Sequence, residues 1–199
     1  GMWFTRACTS SPLCMPARAS FITGRHVHSH GMWWNGSRLD AGDESLFRCL
    51  QQAGYHSAHI GKSLYYPHGS GHLRDREPYM HARGLDCVHE TTGPWATVRT
   101  DSYMTDRWND LGLLNAFRTD YVRRQEERRG GDEPVRPSPL PVEEFPDSYV
   151  GSQAVRFIDA HHGHHTGRHH RVEGAGPSLC HLIPPWIDSC ATRSSRHRR

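Results

Sequence analysis

Lysine is almost missing from this chain: of its 24 Lys and Arg residues only Lys62 is lysine, a bias that points to a gene rich in G and C. A single ammonium makes its own position worth finding. The six cysteines, at 8, 14, 49, 87, 180 and 190, form no C-x-x-C pair, which argues against a zinc ribbon and against a disulfide scaffold. Reduced thiols follow as the default state. Apolar residues are scarce as well, 35% of the chain against the usual ~45–50%, and nothing approaches the ~20 apolar residues that a membrane span needs. A formal charge of +3 gives no case for a specific nucleic-acid groove. At 199 residues the length suits one ordinary domain.

What the chain does have is an organised stretch near its start, Cys14-Met15-Pro16-Ala17-Arg18-Ala19-Ser20-Phe21-Ile22-Thr23-Gly24-Arg25. Pro16 suits a first helical position and Gly24 the left-handed residue that ends a helix, so the spacing predicts a helix over 16–23. Cys14 then stands just before the N-terminus, where unpaired N–H groups and the macrodipole favour a thiolate. Arg18, on the first turn, can lean back toward the same point. A capped, half-buried structural thiol fits this spacing equally well.

The remaining elements are read from periodicity. Residues 43–53 form a helix with Leu46, Phe47, Leu50 and Ala53 as its apolar stripe, closed by Gly54. Tyr55–Ile60 reads as a strand, placing Gly61-Lys62 at a strand's carboxyl end, where open α/β sheets bind ligands. Two helices broken at Gly112 span 103–129, with the mixed-sign run 123–129 as a solvated helix end. A five-proline loop fills 130–146, and a last helix covers 148–160, with Val150, Ala154, Phe157 and Ile158 inward and Asp147 or Ser148 as its cap. His26, His28 and His30 read as a polar loop, since no carboxylate or cysteine partner is near in sequence.

The string C-x-P-A-R followed by T-G-R resembles the nucleophile signature of the sulfatase family, matched at Cys14, Pro16, Arg18, Thr23, Gly24 and Arg25. Gly54-Tyr55 through Gly61-Lys62 resembles that family's second motif, and Gly84-Leu85-Asp86 its weaker G-F-D step. The resemblance covers about 1–160. It implies a partial alkaline-phosphatase-like α/β fold, a three-layer sandwich incomplete at both ends, and hydrolysis of a small-molecule or carbohydrate sulfate ester. It further implies that a formylglycine-generating enzyme oxidises Cys14 to formylglycine, that Arg18 and Lys62 are catalytic, and that the modified Cys14 is one ligand of a divalent cation, Ca²⁺ in most of the family. The family's metal-binding aspartates precede the matched stretch, so they and any signal peptide would lie upstream of residue 1. As given, the chain points to the cytoplasm. A second-motif histidine is replaced by Leu64, which cannot transfer a proton; that role is empty unless nearby His68 or His72 substitutes.

Residues 161–199 differ in kind: eight of the 17 histidines, six arginines, and only Glu173 and Asp188 against them. A disordered tail is expected, with the composition that a shifted reading frame would give. Two other functions remain open at this stage. One is a phosphonate or phosphate ester hydrolase with the same nucleophile; the other is a noncatalytic metal- or nucleic-acid-binding protein acting through the tail.

Overall fold

A computed structural model describes residues 3, 5–40, 42–131 and 135–161, together with the backbone of 178–182. Its centre is a three-stranded parallel sheet in the order β3-β1-β5, formed by Cys87–Thr91, His56–Lys62 and Ser178–Leu182. Residue 58 pairs with 87 on one side and 180 on the other. Central placement makes the interior of β1 buried throughout, as expected of a strand covered on both faces.

Alternate strand residues turn to opposite faces. On one face Ala58, Ile60 and Cys87 meet Ala154 and Phe157 of α8 (Pro146–His161). On the other, Val88 joins a larger core that contains Met15, Ala19 and Ile22 of α1 (Cys14–Thr23), Phe47 of α3 (Leu46–Gln52), and Tyr79 and Met80 of α4 (Glu77–His81). Helices therefore cover both faces of the sheet. Between α1 and α3 lies the short helix α2 (Val27–His30). A second, two-stranded parallel ladder joins β2 (Gly71–His72) to β4 (Thr100–Asp101).

After β3 come α5 (Pro94–Thr97), α6 (Tyr103–Asp110) and α7 (Leu114–Arg129), with Gly112 left-handed at φ 72° between the last two. Trp108 and Phe117 pack with tilted rings across this corner, their centroids 4.7 Å apart. Ser102 and Thr105 close a reciprocal cap on α6, which stops the helix fraying at the point where the chain turns.

Several expectations need adjustment. Helix α1 begins at Cys14, so the thiol is the first helical residue rather than one outside the helix. In α3 only Phe47 of the anticipated stripe is buried, and Leu46 is exposed. His26–His30 is not all loop, because four of its residues make α2. Helix α8 starts at Pro146, before both anticipated caps, and presents Tyr149 inward while Ile158 faces out. The proline-rich loop is anchored, with Leu140 buried and Glu144 taking a bidentate ion pair from Arg107. The expected tail lies outside the described residues, except for His161, which ends α8, and Ser178–Leu182, which forms a strand.

Candidate active site

Helix α1 carries the first motif and is fixed at both ends. Gly24, at φ 65°, closes it by donating its N–H to Ser20 O at 2.9 Å. No side chain of the flanking residues caps the start, and Leu13 cannot. Asn35, 21 residues on, does so instead: its Oδ1 accepts from the Met15 N–H at 3.1 Å and from the Cys14 Sγ at 3.4 Å. Half-buried Cys14 is thereby held at the helix N-terminus by a neighbour that sequence spacing does not indicate. Asn35→Ala leaves one of the four orphan N–H groups of α1 without its cap, at a cost of about 1 kcal/mol. Faster alkylation of Cys14 in the variant, together with a lower urea midpoint, is the expected result.

Arg18 is buried, at 2% exposure, and its Nη1 donates to the Lys62 carbonyl oxygen at 2.5 Å. This bond ties the first motif to the end of β1, which carries the second. Lys62 is half-buried. Its Nζ lies over Gly93, close enough that a Cβ built there would sit 3.4 Å from it, so the absence of a side chain at 93 leaves room for the ammonium. Helix α1, which carries Cys14 and Arg18, is thus tied to the carboxyl end of β1 through the Lys62 backbone.

Leu64 lies in the packed interior. It is 9% exposed within the larger core and takes a left-handed backbone, φ 56°. Both nearby histidines have local partners. His68 is buried with Nδ1 on Thr92 Oγ1 at 2.6 Å and Nε2 on Glu90 Oε1 at 3.1 Å. His72 contacts Asp106 Oδ2 at 3.2 Å and accepts from the Arg74 N–H at 2.9 Å.

Glu90 is a buried acid that sequence reasoning missed. At 3% exposure it accepts from the Ser63 and Tyr66 hydroxyls and contacts His68. Burial first, then the charge and hydrogen bond of Glu90, hold the Tyr66 phenol far above its ordinary range, so it stays a donor. Register explains the meeting: Gly61 pairs with Glu90, and the chain leaving β1 folds back over it.

A calcium ion needs six to eight oxygen ligands. Around Cys14 the only described contact of that kind is Asn35 Oδ1, and among the described residues no group of three or more His, Cys, Asp or Glu could hold a metal. The described residues therefore do not fit the cation. His30 is engaged locally, with Nε2 on Ser20 Oγ at 2.9 Å and Nδ1 accepting from Met32 N, and burial lowers its pKa. His26 and His28 stack on one another at 5.7 Å. Among the described residues no helix is long and apolar enough to cross a membrane.

A parallel sheet with helices on both faces, and a helix-borne thiol and arginine at the end of its central strand, define an α/β protein. More specifically, this chain belongs to the sulfatase family, whose model, described simply as Sulfatase, matches residues 1–104, just over half of it. It is similar to the uncharacterized sulfatase YidJ of Escherichia coli, 39% identical over 62 residues, 31% of this chain and 12% of that protein. An ulvan-active sulfatase of Formosa agariphila is 30% identical over 94 residues, 44% of this chain and 18% of that protein. Human arylsulfatase D is 37% identical over 73 residues, 31% of this chain and 12% of that protein. The chain thus covers less than a fifth of each of these three relatives.

Proposed function

We propose that this chain carries the nucleophile segment of a sulfuric ester hydrolase, within an alkaline-phosphatase-like α/β sandwich, and that its substrate is a sulfated small molecule or carbohydrate. One observation supports the reading above the others: the 2.5 Å bond from Arg18 to the Lys62 carbonyl joins the two motifs physically. Cys14, once converted to formylglycine by its generating enzyme, would supply a hydrate oxygen that attacks sulfur, displaces the alcohol and leaves on elimination of sulfate. Arg18, its guanidinium buried beside the strand end, would stabilise the aldehyde hydrate. Lys62 neutralises the sulfate oxygens, a role that suits the cationic end of a half-buried side chain. No step is assigned to a metal, since the described residues do not assemble its ligands.

Leu64, where a proton-transferring histidine is expected, removes a contribution of about 10²–10⁴-fold. The chain alone should therefore turn over an aryl sulfate at or near background. Coexpression with a formylglycine-generating enzyme, tryptic digestion and mass spectrometry of the peptide spanning 7–18 tests the nucleophile directly. A loss of roughly 18 Da marks conversion of the thiol to the aldehyde. An unmodified Cys14 under those conditions would defeat the formylglycine reading, whereas robust aryl sulfate turnover would defeat the proposed inactivity. Preference for a matched phosphate ester would move the assignment to a phosphate or phosphonate hydrolase. The tail-based binding function concerns residues outside those described.

A further inference from the structure

Lys62 leaves β1 into a strained turn. Leu64, two residues on, has φ 56° and is the one non-glycine residue with a positive φ among the described residues. A bulky side chain keeps that backbone only where its surroundings over-determine it, and such strain gathers at functional sites. The surroundings here converge on Glu90: Ser63 before the turn, and Tyr66 and His68 after it, all reach its carboxylate. The His68 and Glu90 side chains are 1% and 2% exposed, so water does not compete for these contacts.

His68 extends this cluster to the other side of Lys62. A carboxylate only accepts, so Nε2, 3.1 Å from Glu90 Oε1, carries a ring proton and leaves Nδ1, 2.6 Å from Thr92 Oγ1, to bond that hydroxyl. Thr92 stands between Thr91, the register partner of Lys62, and Gly93. A Cβ at Gly93 would lie 3.4 Å from Lys62 Nζ and 3.6 Å from its Cε, so the end of the lysine stem runs against this stretch of backbone. One buried pair thus fastens both the chain that leaves Lys62 and the chain its ammonium rests on. Replacing buried charged groups by apolar residues of equal volume is often neutral or stabilising; what a satisfied polar cluster adds is a fixed position. A lysine stem is flexible unless something holds it. We propose that His68 is a positioning residue for Lys62, holding its ammonium through Glu90 and Thr92 at the point where sulfate oxygens are neutralised. This rests on the sulfate contact proposed for Lys62, and not on conversion of Cys14.

Lys62 is the sole lysine of the chain, so acetylation of its Nζ, read by mass spectrometry on the peptide that contains it, reports on one ammonium. The full 199-residue chain is treated with acetic anhydride in sodium sulfate and in sodium chloride of equal ionic strength. Sulfate should protect the wild type. In Thr92→Val, which removes one hydroxyl, and in His68→Ala, acetylation in chloride should run faster. Half-protection of these variants should need about tenfold more sulfate, the scale of losing one hydrogen bond to a charged group. His68→Gln keeps a donor for Glu90 and should fall between them and the wild type. Ser102→Ala, which loosens the cap of α6, is destabilised elsewhere and should match the wild type, so lost stability alone does not give the result. A rate and a protection left unchanged by Thr92→Val would overturn the inference, even where His68→Ala fails to fold. A wild type that sulfate does not protect would instead defeat the sulfate role of Lys62, and the positioning by His68 would then stand or fall on the chloride rates alone.

Discussion

Replacing Glu90 with leucine should cost about 3–5 kcal/mol, the penalty for breaking a buried pair by removing one partner. Leucine fills the space but accepts no hydrogen bond. Ser63 and Tyr66 would keep their hydroxyl donors and His68 its ring nitrogen, all buried and all deprived of the group they converge on. Since whole domains are stable by only about 5–15 kcal/mol, the change would take a substantial part of the chain's stability. Glu90→Gln retains an acceptor oxygen and should lose about half as much. Urea denaturation of the three proteins gives the order wild type, glutamine, leucine. A leucine variant with an unchanged midpoint would show that the segment 63–68 is held by its apolar contacts alone.

Gly84→Ala should be of comparable severity. Gly84 sits at φ 90°, and a Cβ there would lie 2.6 Å from the backbone N and Cα of Arg48 and 2.7 Å from Phe47 C. Backbone atoms of a helix cannot swing aside as a side chain can. The turn is also fastened on every side: Ser45 Oγ donates to Arg83 O at 2.8 Å, Ser57 Oγ to Gly84 O at 2.8 Å, and Ser57 N to Asp86 Oδ2 at 2.8 Å. Overpacking adds about 1–3 kcal/mol to about 1–3 kcal/mol of left-handed strain. Thermal unfolding monitored by circular dichroism should show the loss. Gly131→Ala, at a position with φ 97° but no atom within 4 Å, isolates the strain contribution and should cost less.

Local chemistry was legible in the sequence. Gly24 and Gly112 end helices because the left-handed conformation they adopt is open to glycine and costly for others. The central strand was visible as Tyr55–Ile60, although it begins at His56 and continues through the buried Gly61 to Lys62. Partners fixed by distant pairing were not. Asn35 reaches α1 across a loop, and Glu90 meets Ser63 only after β1 and β3 align. Neither has a spacing that any periodic pattern could reveal. Gly93, which reads as an ordinary loop glycine, gains meaning only from the ammonium above it.

The central place of β1 carries a consequence for the order in which this chain assembles. Its partner β3 lies about 30 residues downstream, whereas β5 lies about 120 residues away. Closing the longer loop costs about 1 kcal/mol more in chain entropy. During synthesis at ~5–20 residues per second, one flank of β1 therefore stays open for several seconds after the other has zipped. In that interval the backbone of His56–Ile60 presents a row of unpaired donors and acceptors to any neighbouring nascent chain.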